Sequence, residues 1–134
     1  MGKKICIVGG VAAGASCAAR ARRISEEAQI VVLERGPYVS FANCGLPYYV
    51  GEKIEKKSKL LLATPGFFKK RFNIDVRVNT NVDDVDSEKK ELTVTDLEKG
   101  RTYTETYDML LLAPGARSVR PPIPGIDLPG IFGV

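Results

Sequence analysis

The 134-residue chain contains no histidine and only three cysteines. The lack of histidine excludes Ser-His-Asp and Cys-His nucleophile pairs, imidazole general bases and every zinc site with a histidine ligand. Cys6, Cys17 and Cys44 are an odd number and form no C-x-x-C pair. We therefore expect neither a disulfide framework nor a metal site, and the free thiols favour a reducing, cytoplasmic setting.

Long apolar runs are also missing, since no stretch approaches the ~18 residues of a membrane-spanning helix, and we expect no membrane association. Charge of one sign is not concentrated, because 20 Lys+Arg and 16 Asp+Glu give a net charge of +4 spread along the chain. This distribution does not indicate nucleic-acid binding, although it suits a small anionic ligand. With 44% hydrophobic residues, the chain can bury a core. Its length of 134 residues allows a single domain at most.

The first third of the chain has the pattern of a dinucleotide-binding βαβ unit. Apolar, mostly β-branched runs at residues 5–8 and 30–33 predict two buried parallel strands. A glycine turn at residues 9–14 and an Ala-rich helix lie between them. Spacings of three and four predict a buried helix face made of Ala13, Cys17, Ala21, Ile24 and Ala28.

Each part of this unit has a physical task. Gly9 allows a tight turn, small residues at positions 12–14 let helix and strand approach, and free N–H groups at the helix start can receive a pyrophosphate. Glu34, which ends the second strand, can accept hydrogen bonds from ribose hydroxyls. The complete context favours nucleotide binding over a purely structural turn. The predicted nucleotide-binding residues are Gly9, Val11, Ala12, Ala13, Gly14 and Glu34.

Cys44 is the candidate nucleophile. It lies in the segment SFANCGLPY at residues 40–48, which leads into a stretch that can become helical. A position near a helix N-terminus stabilises a thiolate through the helix dipole and unpaired N–H groups, without any histidine. Cys6 and Cys17 fall on predicted core positions and are expected to be inert. The alternative, that Cys44 is another inert buried thiol, is disfavoured by its polar and glycine-rich neighbours.

The remainder of the chain predicts further strands and one short helix. Thr64 and Pro65 suit the N-cap and first turn of a helix that carries Phe67, Phe68 and Phe72 toward a core. An antiparallel meander is expected between two more strands of the parallel sheet, the second of them buried. These strands are predicted at residues 74–78, 81–86, 91–97, 101–107 and 109–113.

Residues 9–16 and 40–48 together resemble the coenzyme A disulfide reductases, a group within the flavin-dependent pyridine nucleotide-disulfide oxidoreductases. Val11, in place of the usual middle glycine, belongs to the pattern of that group. In the glutathione and lipoamide reductase branch a second cysteine follows the first by five residues, whereas Tyr49 stands there in this chain. The resemblance thus points to the single-cysteine branch, which also contains NADH oxidases, NADH peroxidases and persulfide reductases.

This resemblance implies an α/β, Rossmann-like FAD-binding domain with a central parallel sheet and an antiparallel meander. It implies FAD and NAD(P)H as cofactors, Cys44 as the redox-active residue, and coenzyme A disulfide or a related persulfide as the substrate. Residues 113–115 resemble the A-T-G segment of the family, with proline replacing threonine. Further cofactor-binding positions implied by the resemblance are Arg35, Val82, Ala113 and Gly115.

Contacts with an anionic substrate are implied as well. The coenzyme A contact positions of the family correspond here to Ser16, Arg20, Arg23, Ser40 and Asn43. The first three follow at spacings of four and three, so they share one helix face. For Arg20 and Arg23, a solvated basic face is an equally good interpretation. Arg22 is expected to face solvent, and Arg71 is a weaker candidate for the same phosphates.

Enzymes of the resembled family run to several hundred residues, with nicotinamide-binding and dimerisation domains that this sequence lacks. We expect residues 1–134 to be the truncated N-terminal portion of an FAD-binding domain that holds FAD weakly and does not turn over alone. The complete enzyme is expected to be a homodimer. Two other functions stay open: an NADH oxidase or peroxidase that cycles Cys44 through sulfenic acid, and a non-enzymatic nucleotide-binding module.

Overall fold

The computed structural model describes residues 2–132, so Met1, Gly133 and Val134 of the expected domain lie outside the described residues. Seven strands and three α-helices make up this part of the chain. The strands are β1 (Lys4–Val8), β2 (Gln29–Leu33), β3 (Asp75–Arg77), β4 (Thr80–Asp86), β5 (Glu91–Asp96), β6 (Arg101–Thr106) and β7 (Met109–Leu112). The helices are α1 (Ala12–Ile24), α2 (Leu46–Val50) and α3 (Pro65–Phe72).

Two sheets organise these elements. The parallel sheet has the order β3-β2-β1-β7, and the antiparallel meander has the order β4-β5-β6. The predicted fold class, a Rossmann-like α/β domain with a parallel sheet and a meander, is confirmed. Because parallel strands end at the same edge of a sheet, the segments that follow β1, β2 and β7 meet there.

Successive side chains of β1 and β2 point to opposite faces of the parallel sheet, and a core cluster covers each face. On β1 and β2, Ile7, Ile30 and Val32 join one core cluster with α1 and α3. Cys6 and Val31 point the other way, into a second cluster that the meander covers. Burial of Cys6 raises the pKa of its thiol to about 11. The prediction that this cysteine lies in the core is confirmed.

The buried face of α1 differs from the predicted stripe. Its buried residues are Gly14, Ala15 and Ala18. Ala13 is exposed and Ile24 is 71% exposed, while Cys17 is only half-buried against the core. At Gly14 the helix packs so tightly on the turn after β1 that an added Cβ would lie 1.7 Å from the carbonyl oxygen of Gly9, so this position faces inward. Ala28 is buried as expected, but it lies beyond the end of α1.

Two apolar segments are less buried than predicted. The hydroxyl of Thr64 caps α3 by accepting the N–H of Phe67 at 3.1 Å, as expected, yet the Phe67 ring is 51% exposed. On β7, Met109 and Leu112 are 52% and 57% exposed. In the described sheet β7 is an edge strand with only β1 as its neighbour, and this position explains its exposure.

An ionic cluster joins the meander to the parallel sheet. Glu105 of β6 is 8% exposed and accepts hydrogen bonds from Lys4 of β1 and from Arg77 of β3. Burial acts to raise the pKa of the Glu105 carboxyl, but the bonds from Lys4 and Arg77 outweigh it and hold the pKa below its usual value. The buried carboxylate is therefore ionised and paired, and it fixes the two sheets against each other.

Three further observations concern residues 2–132. No helix in this range is long and apolar enough to cross a membrane. No group of three or more His, Cys, Asp or Glu side chains gathers there in a way that could hold a metal ion. The three cysteines are free thiols, with Cys6 buried, Cys17 half-buried and Cys44 exposed.

Candidate functional site

The glycine turn after β1 brings three chain segments into contact. Gly9 has a φ of +92°, and a Cβ atom added to it would lie 2.0 Å from the carbonyl oxygen of Ala113, at the end of β7. A Cβ added to Gly14 would lie 1.7 Å from the carbonyl oxygen of Gly9. Side chains at either position would therefore push α1 or β7 away from the turn.

The first turn of α1 is open to an anionic ligand. Its N-cap residue, Val11, makes no side-chain capping bond, and no acidic residue lies in the first turn of the described helix. The first N–H groups of an α-helix have no partner within the helix, and the helix dipole favours negative charge beside them. This arrangement fits a pyrophosphate group.

Glu34 is held in place beside this turn. Its Oε2 atom accepts the N–H of Gly10 at 2.6 Å, and its Oε1 atom accepts the N–H of Gly36 at 2.7 Å. A carboxylate has about four acceptor positions, so these two bonds fix its orientation and leave lone pairs for ribose hydroxyls. The acid and the glycine turn are thus one preorganised unit.

One cavity at this sheet edge, which we call the nucleotide cavity, collects most of the predicted cofactor residues. Those that line it are Gly9, Val11, Glu34, Arg35, Val82, Ala113 and Gly115. Of the other predicted cofactor residues, Gly14 is buried behind the turn, Ala13 is exposed in the first turn of α1, and Ala12 lines a neighbouring cavity. Asn81 also lines the nucleotide cavity and was not predicted, because the alternation that identified β4 does not say what its residues face.

The neighbouring cavity, called the thiol cavity here, contains Cys44. This residue lies in a 3₁₀ turn, Asn43–Gly45, that runs directly into α2. The cavity is lined by Val11, Ala12, Ala15, Ser16, Ser40, Phe41, Ala42, Asn43, Cys44 and Leu62. It brings Cys44 together with three of the predicted substrate residues, Ser16, Ser40 and Asn43. Val11 and Asn43 line both cavities, so the two are adjacent.

The loop that carries Cys44 is tied to the glycine turn. Ser40 adopts a φ of +54°, its N–H donates to the carbonyl of Gly10 at 2.8 Å, and its carbonyl accepts the N–H of Leu62 at 3.3 Å. Two residues further, the N–H of Ala42 donates to the carbonyl of Leu60 at 2.8 Å. Backbone hydrogen bonds therefore set the position of the thiol loop relative to the nucleotide cavity.

A third cavity, the basic cavity, lies where α1 and α3 end. It is lined by Arg22, Arg23, Glu26, Lys70, Arg71, Phe72 and Asn73. The structure thus brings together Arg23 and the weaker candidate Arg71, which come from different helices. Arg20 is exposed on α1 between Ser16 and Arg23, and its substrate role stays a prediction.

Arg22 does not face solvent, so that prediction is wrong. It is half-buried, and its guanidinium donates to backbone carbonyl oxygens at the ends of α1 and α3, for example to Phe72 O at 2.7 Å. The carbonyl groups at a helix end lack partners within the helix and attract a cation. The sequence pattern missed this role because Phe72 lies fifty residues further along the chain.

We expect Cys44 to be alkylated faster than Cys17, and Cys17 faster than Cys6, at pH 7. Cys44 is exposed, whereas Cys6 is buried and its pKa of about 11 leaves roughly one thiolate in ten thousand at this pH. An iodoacetamide time course with site-resolved mass spectrometry measures the three rates. The control is the same reaction in denaturant, where the three rates should converge. A Cys44 rate no greater than that of Cys17 would contradict its assignment as the nucleophile.

Known proteins resemble this chain in sequence and in structure. Residues 3–134 match the family model described as pyridine nucleotide-disulphide oxidoreductase. A coenzyme A disulfide reductase from Staphylococcus epidermidis is 43% identical over 117 residues, which are 87% of this chain and 27% of that protein. The chain therefore spans about a quarter of the length of this curated relative.

Solved structures agree with the sequence comparison. The structure of reduced CoADR-RHD from Bacillus anthracis is similar to this chain with a TM-score of 0.91 and 52% sequence identity. The match covers 94% of this chain and 23% of the Bacillus anthracis chain. The structure of an NAD-dependent persulfide reductase from A. fulgidus has a TM-score of 0.87 and 38% sequence identity to this chain. That match covers 92% of this chain and 24% of the A. fulgidus chain. The family match over residues 3–134 and these likenesses lead to one conclusion: the chain belongs to the pyridine nucleotide-disulphide oxidoreductase family.

Proposed function

We propose that this chain is the FAD-binding part of a flavin-dependent reductase that acts on coenzyme A disulfide or a related persulfide with NAD(P)H. The observation that carries the proposal is the adjacency of the nucleotide cavity and the thiol cavity, which share Val11 and Asn43. A cofactor that fills the first cavity therefore reaches the wall of the second, where Cys44 is exposed.

Membership of the family implies binding of a flavin and a pyridine nucleotide. The residues of the nucleotide cavity fit the adenosine and pyrophosphate half of FAD. The uncapped start of α1 suits the pyrophosphate, Gly9 lets the turn pack against Ala113 at the cavity wall, and Glu34 has free lone pairs for the ribose. When bound, the flavin would supply electron transfer from NAD(P)H to a disulfide at Cys44.

Cys44 would act by thiol–disulfide exchange. Its thiolate attacks one sulfur of coenzyme A disulfide, a Cys44–coenzyme A bond forms, and the substrate S–S bond breaks with release of one coenzyme A thiolate. Two electrons that originate from NAD(P)H then break the mixed disulfide, releasing the second coenzyme A and restoring the Cys44 thiolate. In sum, one disulfide, one hydride and one proton give two thiols.

The cavities are arranged for a ligand with a thiol at one end and phosphates at the other. Ser16 and Asn43 lie beside Cys44 in the thiol cavity, and Arg23 and Arg71 line the basic cavity. Ser16 and Arg23 are two turns apart on α1, or about 10 Å along the helix axis. Coenzyme A has this layout, since its thiol and its phosphates are separated by a long flexible arm.

The chain corresponds to about a quarter of the length of the Staphylococcus epidermidis relative. We therefore place nicotinamide binding and homodimer formation of the complete enzyme in segments other than residues 1–134. The single exposed thiol also suits a cytoplasmic enzyme, where thiols stay reduced.

The function is tested by the mass of Cys44 in the purified, untreated protein. A coenzyme A adduct on Cys44 supports the disulfide reductase. A single added oxygen, as sulfenic acid, would instead favour the NADH oxidase or peroxidase alternative. A Cys44 that is unmodified and also fails to form an adduct with added coenzyme A disulfide would leave a nucleotide-binding module without thiol chemistry.

Removal of the Glu34 carboxylate is expected to weaken FAD binding. Glu34→Ala deletes a charged acceptor for the ribose and leaves the Gly10 and Gly36 N–H groups without their partner, so we expect a loss of about ten- to hundredfold. Glu34→Gln, which keeps one acceptor oxygen, should lose less. A flavin fluorescence titration measures both, and equal affinity of Glu34→Ala and the unaltered chain would contradict the ribose role.

The same titration tests the expected weak FAD affinity of the unaltered chain. Tight stoichiometric binding would contradict that expectation.

A further inference from the structure

Arg22 uses its whole guanidinium to bind backbone carbonyl groups. Its acceptors are the carbonyl oxygens of Ser25, Glu26, Ala28, Phe72 and Asn73. Four of the five N···O distances lie between 2.6 and 3.1 Å. A guanidinium has five N–H donors, so none remains for an external ligand.

These acceptors belong to two separate helix ends. Three of them follow α1 in the connection to β2, and the other two lie where α3 stops. Asn73, with a φ of +48°, terminates α3 in the left-handed conformation. Carbonyl groups at a helix end lack partners within the helix and carry the negative end of its dipole. One half-buried cation therefore neutralises two helix ends and holds them together.

The basic cavity is built on these two ends. Arg23 is the next residue after Arg22 on α1, and Arg71 immediately precedes the acceptor Phe72 on α3. Lys70 adds a further positive charge, and Glu26 is the acidic residue among those that line the cavity. The positive charges repel one another, so their convergence requires an attachment between α1 and α3 that opposes the repulsion.

We infer that Arg22 is a positioning residue of the basic cavity. It holds the ends of α1 and α3 together, so that Arg23 and Arg71 present their charges to one phosphate-bearing ligand, and it does not bind that ligand itself. The inference rests on the proposed function, in which the basic cavity receives the phosphates of coenzyme A.

The test compares the affinities of the 134-residue chain for coenzyme A and for pantetheine, which has the same thiol and no phosphate. By isothermal titration calorimetry, Arg23→Gln should weaken coenzyme A binding about tenfold and leave pantetheine binding unchanged. Arg22→Gln should cause a loss of similar size, although Arg22 has no free donor. The control is Arg101→Gln, which removes the same charge from an exposed position on β6 and should change neither affinity.

The triple variant Arg22→Gln/Arg23→Gln/Arg71→Gln, compared with the double variant Arg23→Gln/Arg71→Gln, separates positioning from direct contact. If Arg22 acts through Arg23 and Arg71, the triple and double variants bind coenzyme A equally, whereas a direct contact of Arg22 would weaken the triple variant about tenfold more. FAD affinity and the melting temperature report whether each variant folds. Should Arg22→Gln fail to fold, Arg22→Lys replaces it, since lysine keeps the charge but has only three donors and should weaken coenzyme A binding severalfold.

The outcomes separate this inference from the proposed function. A folded Arg22 variant that binds coenzyme A as tightly as the unaltered chain, while Arg23→Gln binds it weakly, overturns the inference alone. A triple variant that binds coenzyme A about tenfold more weakly than Arg23→Gln/Arg71→Gln also overturns it, because Arg22 would then contact the ligand. If Arg23→Gln and Arg71→Gln both leave coenzyme A binding unchanged, the phosphate assignment of the basic cavity fails, and the positioning role fails with it.

Discussion

Replacement of Cys44 by serine is expected to abolish adduct formation with coenzyme A disulfide and to leave FAD affinity unchanged. Serine keeps the size of the side chain but cannot undergo thiol–disulfide exchange. Cys44 is the exposed thiol on the wall of the thiol cavity, whereas the nucleotide cavity does not include it. The intact mass of the protein after incubation with coenzyme A disulfide measures the first effect, and a flavin titration measures the second.

The matched control is Cys17→Ser, which removes a half-buried thiol of α1 that does not line the thiol cavity and should form the adduct as before. In a complete enzyme, Cys44→Ser should lower the rate of disulfide reduction by at least about a thousandfold, as loss of a nucleophile usually does. An adduct that persists in Cys44→Ser would assign the chemistry to another thiol and overturn the proposed mechanism.

Gly9→Ala is expected to destabilise the fold far more than Gly100→Ala. Both glycines have left-handed φ values, +92° and +61°, so alanine is strained by about 1 kcal/mol at either one. They differ in their surroundings. A Cβ on Gly9 would lie 2.0 Å from the Ala113 carbonyl oxygen, while a Cβ on Gly100 would meet no described atom within 4 Å.

The clash at Gly9 must separate β7 from the turn, so we expect Gly9→Ala to lose about 3 kcal/mol or more of unfolding free energy. Gly100→Ala should lose only about 1 kcal/mol. Urea unfolding curves give both values. Equal losses would show that backbone strain alone, and not the approach of Ala113, requires glycine at position 9. Because this turn forms one wall of the nucleotide cavity, Gly9→Ala should also weaken FAD binding.

The βαβ unit was predictable because its signals are local. The apolar strands β1 and β2, the glycine turn and the acid at the end of β2 each follow from residues a few positions apart, and the parallel ladder forms as expected. The gathering of Ser16, Ser40 and Asn43 around Cys44 followed from the resemblance of two short motifs, and no spacing rule would have supplied it.

Contacts between residues far apart in the sequence determine the features that local patterns did not predict. The inward face of α1 is set by the contact of Gly14 with the turn, so Ala13 and Ile24 are exposed despite their spacing. Arg22 finds acceptors on α3, fifty residues away, which no local pattern contains. The exposure of Leu112 depends on the order of the strands in the sheet, and a strand's own residues do not encode that order.

The ionic cluster at Glu105 has a consequence for oxidative damage. Its partners, Lys4 and Arg77, lie on the parallel sheet, so the meander can lift away only if both ion pairs of Glu105 break. Cys6 lies directly beneath that meander and is fully covered by it. Peroxides and other oxidants therefore reach Cys6 only when the meander separates from the parallel sheet. The chain can thus expose Cys44 to reactive sulfur chemistry while Cys6 survives in reduced form.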